Sequence, residues 1–143
     1  MVRNPDHVTI VVKDLDGAKA FFALLGFEEG LTTVISGPVM DAYMGIPGIE
    51  AEHVTLVLKD CTPHFDIQLL KYRNPESAND PKVRDLSRVG FNHLCFRSDD
   101  IEADVARLKA AGVTFRNEMM DFRGLKLVFF EGPEGITLEL AQR

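Results

Sequence analysis

The chain has 143 residues and a mass of 16.0 kDa, enough for one compact domain with a real core. Its 45% apolar and 27% charged residues are those of an ordinary globular protein, and a formal net charge of −6 gives no electrostatic footprint for nucleic acid or an anionic membrane. No stretch has the length of a membrane span, the first residues lack a signal-peptide pattern, and Cys61 and Cys95 are too few for a disulfide framework, so a cytoplasmic location is expected.

The first segment, His7-Val-Thr-Ile-Val-Val-Lys13, is β-branched and alternating, which predicts a strand. Asp14 or Asp16 can cap a following helix whose apolar positions are Leu15, Ala18, Phe22 and Leu25, and Gly26 ends it. Further strands are expected near 27–35, 54–59 and 65–71. Between the first two of these lies a long segment, 36–52, rich in Gly, Pro and Met, of the kind that covers binding sites. Met40, Tyr43 and Met44 within it could form an apolar lid or an oligomer contact. The polar run from Arg73 to Asp85 reads as a connection. A second series then begins at His93. Ser98 to Asp100 supply a helix cap, and Ile101, Val105, Leu108 and Ala111 form a stripe that stops at Gly112. Strands are expected near 113–118, 125–131 and 136–141, the last two joined by a Gly-Pro-Glu-Gly turn at 132–135.

The two series are copies of one pattern. In each, a histidine precedes an Asp-aliphatic pair by seven residues and a glycine by nineteen: His7, Asp14 and Gly26 in the first, His93, Asp100 and Gly112 in the second. Matching offsets point to a duplicated strand-helix-strand-strand-strand unit. The modules run from about 5 to 72 and from about 90 to 143, within a single domain of residues 1–143.

Alternation along each strand sorts its residues onto two faces. Val8, Ile10 and Val12, Ile67 and Leu69, Leu94 and Phe96, and Leu138 and Leu140 make an apolar face for the helices. His7, Gln68, His93 and Glu139 share the other. One strand histidine taken alone is most often structural. Four such residues at matching places in two repeats, with nitrogen and oxygen donors, instead point to a divalent metal site. His53 and His64 are read as surface or structural residues, and Cys95, on the face of His93, as a small buried thiol, with a place in the pocket lining as the alternative. Arg97 could meet an anion or form a salt bridge.

The segments HVTIVVKDLDGAKAFFALLGF, NHLCFRSDDIEADVARLKAAGV and GLKLVFFEGPEGITLELAQ resemble the vicinal oxygen chelate superfamily. That group includes lactoylglutathione lyase, methylmalonyl-CoA epimerase, fosfomycin-resistance transferases, bleomycin-binding proteins and extradiol dioxygenases. The resemblance covers nearly the whole chain and is weakest over 36–52 and 73–88. It implies an α+β fold in which two βαβββ modules form a U-shaped mixed β-sheet with helices on the convex face. It also implies one divalent metal ion (Zn, Ni, Co, Mn or Fe) held by His7, Gln68, His93 and Glu139. This ligand set is similar to that of methylmalonyl-CoA epimerase and some lactoylglutathione lyases.

The activity expected from this reading is a metal-dependent isomerase, epimerase or lyase acting on a small carbonyl or thioester substrate through a metal-stabilised enolate. Glu139 is the candidate base. Glu52, and less so Glu50, are candidates for a second base, although solvated loop charges are the commoner role for such residues. One alternative is an Fe(II) extradiol-type dioxygenase using His7, His93 and Glu139. The others are a non-catalytic antibiotic-binding or resistance protein and a fosfomycin-type transferase. A small-molecule substrate and a homodimer are expected, with neither nucleic acid nor membrane as partner.

Overall fold

The structure is a computed structural model that describes residues 1–143. The chain divides into two compact units, Met1–Ala78 and Asn79–Arg143. Together they carry two four-stranded mixed sheets and three α-helices. No helix is long and apolar enough to cross a membrane.

The first unit runs β1 (His7–Val11), α1 (Leu15–Ala23), β2 (Phe27–Ser36), α2 (Pro38–Met44), β3 (Glu50–Leu58) and β4 (Asp66–Asn74). Its sheet order is β1-β4-β3-β2. Only β1 and β4 pair in parallel, because the α1 crossover returns the chain in the same direction. Asp14, not Asp16, is the helix cap: its carboxylate accepts from the Gly17 amide at 2.9 Å. Gly26 ends this first turn of chain at φ 94°, and Gly112 does the same at φ 90° in the second unit, a conformation that a Cβ disfavours. Leu15, Ala18 and Phe22 on α1 are buried with Val54, Leu56, Ile67 and Leu69 of the sheet. Phe22 meets Phe27 edge to face with centroids 6.0 Å apart. Each such fully buried large side chain contributes about 1.5–3 kcal/mol of hydrophobic stabilisation.

The segment expected as a loop over 36–52 contains a short helix and the start of a strand. Pro38 suits the first helical position, and Gly45 closes α2 in the left-handed conformation. Asp41 then accepts from the amides of Gly48 (3.0 Å) and Ile49 (2.9 Å), drawing the chain straight into β3. Met40 and Met44 are half-buried, whereas Tyr43 is exposed.

The second unit runs β5 (Leu94–Arg97), α3 (Ile101–Ala110), β6 (Met120–Phe122), β7 (Leu125–Glu131) and β8 (Thr137–Gln142), with sheet order β5-β8-β7-β6. Asp100 caps α3 by accepting from the Ala103 amide at 3.1 Å. Ile101 and Leu108 are buried against a core of Val128, Phe130, Leu138 and Leu140. Val105 is only half-buried and Ala111 is exposed. The strand expected over 113–118 is reduced to an isolated bridge between Phe115 and Phe130. The reason is Asn117, whose side-chain oxygen takes the Phe129 N–H at 2.9 Å and displaces the backbone carbonyl that a continuing ladder would use. Pairing resumes only at β6.

Candidate metal centre

In the first unit β1 and β4 lie side by side, with Thr9 opposite Gln68 and His7 opposite Asp66. His7 and Gln68 therefore project from the same face, one residue pair apart, as alternation predicts. His7 is exposed and Gln68 half-buried, while Ile67 and Leu69 are buried on the other face. The His7 ring is not free to rotate, because its Nδ1 lies 2.6 Å from Asp6 Oδ2. A carboxylate only accepts, so Nδ1 carries the hydrogen, and Nε2 of the neutral ring is the lone-pair nitrogen.

The second unit repeats this device. His93 stands just before β5, and its Nδ1 is 2.7 Å from Asn92 Oδ1. Its Nε2 is again left as the donor atom and lies 3.7 Å from Glu139 Oε2. Glu139 is opposite Cys95 on β5 and opposite Phe129 on β7. Phe129 also holds the His93 ring edge to face at 5.0 Å. Donors sharing one tetrahedral ion at about 2.0–2.2 Å lie about 3.4 Å apart. His93 and Glu139 thus fit a common divalent ion after a shift of a few tenths of an ångström. The Glu139 side chain is only 12% exposed, and an acid so enclosed is stabilised by a cation. Its presence is felt at Cys95, whose thiol is pushed up to about 12, first by partial burial and then by the adjacent Glu139 carboxylate. That sulfur is protonated at neutral pH, and the residue is exposed rather than the buried thiol expected.

Within neither unit do three His, Cys, Asp or Glu side chains converge into a metal-holding group. His7 and Gln68 lie in the first unit, His93 and Glu139 in the second. Glu52 lies on the other face of its sheet from His7 and Gln68. The β3–β4 register sets it opposite Lys71, on the side of Val54 and Leu69, while Thr55 is the residue opposite Gln68. There Arg73 binds Glu50 at 3.0 Å and Glu52 at 3.3 Å. The two glutamates raise the Arg73 pKa, first through the Glu50 hydrogen bond and then through the Glu52 charge. The face on which Gln68 lies therefore does not carry Glu52.

Three residues that sequence reasoning passed over belong to this description. Asp6 and Asn92 orient the two histidines, and a polar acceptor directly before each repeat-related histidine was the available signal. His53, read as a surface or structural residue flanking a strand, lies within β3 and donates from Nε2 to Gln68 Oε1 at 3.0 Å. His64 does sit at the surface, 2.8 Å from Asp66.

Comparison with known proteins agrees with this architecture. The chain is 27% identical to the uncharacterized protein YaeR of Escherichia coli (strain K12), over 99% of its own length and 98% of that protein's. The crystal structure of a glyoxalase family protein from Bacillus cereus superposes with a TM-score of 0.89 at 26% identity, covering 99% of this chain and 95% of the other. The fosfomycin resistance protein FosX of Listeria monocytogenes, solved with Mn(II) and sulfate, shares the fold with a TM-score of 0.63 at 18% identity, covering 100% of this chain and 94% of that one. Residues 4–140 match the Glyoxalase/Bleomycin resistance protein/Dioxygenase superfamily, and the chain belongs to that family.

Proposed function

We propose that the protein is a metal-dependent isomerase, epimerase or lyase of small carbonyl or thioester substrates, with His7, Gln68, His93 and Glu139 as the ligands of one divalent ion. The observation that carries this reading is the doubled histidine device. Two repeat-related imidazoles are each tied at Nδ1 to the preceding side chain, at 2.6 and 2.7 Å, and each presents Nε2 as a donor. Ring orientation through the second nitrogen is how metal-bound histidines are held. The Mn(II) of FosX, on the same fold, is in keeping with it.

A bound divalent ion supplies Lewis-acid stabilisation of negative charge on substrate oxygen. The remaining work falls to the chain. Glu139 takes the proton next to the carbonyl and returns it, on the same or the neighbouring carbon. Its half-buried place between Cys95 and Phe129 limits competing water. His7 and His93 keep fixed rings throughout, so Glu139 is the ligand with a proton to move. Glu52 is paired with Arg73 on the other side of its sheet, which supports Glu139 over Glu52 as the base.

Elemental analysis of purified wild type against His93→Ala tests the site. About one equivalent of metal in the wild type and loss of it in the variant are expected; equal content in both refutes the assignment. Glu139→Gln then separates ligand from base. Metal retention with turnover lowered at least about 100-fold on a proton-transfer substrate is expected, and full activity would refute the base role. One observation favours a second reading. Gln68 Oε1 already spends one lone pair on His53, and if the other stays unused His7, His93 and Glu139 form a two-histidine, one-carboxylate Fe(II) site for a dioxygenase. Iron as the bound metal, with oxygen uptake on diols, would favour that reading over the first.

A further inference from the structure

We infer that His53 is the positioning residue of Gln68: its Nε2–H holds the amide so that Oε1 faces the open side of the first unit's sheet. The inference rests on the proposed ligand role of Gln68. A glutamine side chain ends in an oxygen and a nitrogen of nearly equal size, and only the oxygen can bind a cation. Left alone, the amide is free to present either. The β3–β4 register removes that freedom. Thr55 stands directly opposite Gln68, and His53 is the next residue on the same face, diagonal to it and within reach of a long side chain. His53 Nε2 meets Gln68 Oε1 at 3.0 Å. An amide oxygen accepts and never donates, so Nε2 must carry the hydrogen. One lone pair of Oε1 is then used and the other is left for a ligand.

The other nitrogen of the ring makes the assignment sharper. His53 Nδ1 is buried and has no hydrogen-bond partner. An orphaned buried acceptor destabilises a fold, and an apolar residue of similar volume would avoid it. A side chain present only for packing would therefore not be histidine. The polar bond gained in exchange for that orphan is the one to Gln68. In the second unit Phe129 stands opposite Glu139 as Thr55 does opposite Gln68, and the diagonal position that His53 fills in the first unit belongs to Leu127, which has no hydrogen to donate. A carboxylate has two equivalent oxygens and needs no such choice made for it.

Co2+ titration calorimetry on the full chain tests the inference, comparing wild type with His53→Leu, His53→Gln and Gln68→Ala. His53→Leu should weaken Co2+ binding about 10–100-fold, with thermal stability unchanged or raised because the orphan is gone. His53→Gln, whose amide N–H can still reach Oε1, should recover most of the affinity. Gln68→Ala should weaken binding at least as much as His53→Leu. Long-range proton–nitrogen NMR of the metal-free wild type should find His53 protonated at Nε2. If His53→Leu binds Co2+ like or better than wild type while Gln68→Ala is weakened, the positioning role is overturned and the ligand role survives. If neither variant is weakened, the ligand role of Gln68 itself falls. An Nδ1-protonated His53 overturns the inference by itself, even should His53→Leu fail to fold.

Discussion

The two histidines are held by neighbours of different charge. Asp6 is an exposed carboxylate, its side chain 80% accessible, whereas Asn92 is a neutral amide. Both leave Nε2 with its lone pair, as the proposed metal site requires. This orientation is measurable. Asn92→Ala should lower Co2+ affinity about tenfold, the lower end of what an orienting partner contributes, and Asn92→Asp should restore it. Calorimetry reads the affinity, and circular dichroism verifies that the fold is intact. Unchanged affinity in Asn92→Ala would mean that Phe129, in edge contact at 5.0 Å, orients the ring unaided. Cys95 belongs at this scale too. Its thiol is pushed up to about 12, first by partial burial and then by Glu139 beside it, so the free sulfur is protonated at neutral pH.

At the scale of elements, strand periodicity and helix caps were readable, and departures arose where a side chain did a backbone's work. The sequence left the first helix cap open between Asp14 and Asp16. The structure chooses Asp14, which accepts from Gly17, and leaves Asp16 almost fully exposed. Asp14→Ala should therefore cost about 1 kcal/mol in urea denaturation and Asp16→Ala less than about 0.5 kcal/mol; the reverse order would reassign the cap. Asn117 breaking a ladder and Asp41 closing a loop were not legible, because periodicity does not say where an amide or carboxylate side chain will substitute for a carbonyl. The candidate site shows the same division. Alternation placed His7 with Gln68 and Cys95 with Glu139 on common faces, and the ladders agree. It could not pick out His53, since its bond to Gln68 crosses between strands whose register no local pattern fixes. The place of Glu52 was not legible for a related reason. A residue expected in a loop turned out to lie in β3, where parity assigns it to the opposite side.

At the scale of the whole molecule, several large apolar side chains remain uncovered. In the first unit Leu31, Val39 and Tyr43 are 70%, 81% and 81% exposed, and in the second Phe122 on β6 is 51% exposed. Single exposed residues of this kind are common, but Val39 and Tyr43 lie on one short helix, four positions apart and so on the same side. A homodimer using this surface is expected, with a light-scattering mass twice the 16.0 kDa of the chain, and Tyr43→Glu should reduce it to the single-chain mass. A wild-type monomer at micromolar concentration would refute the expectation. One further property follows from the parallel pairing of β1 with β4 and of β5 with β8. Each brings the opening strand of a unit beside its last, so His7 waits for Gln68, and His93 for Glu139, until nearly the whole unit has been made. Contacts spanning so much chain form late in folding, after the local hairpins. A chain emerging from the ribosome would bring together each pair of candidate residues in a late closure, and a truncated unit would leave its pair apart.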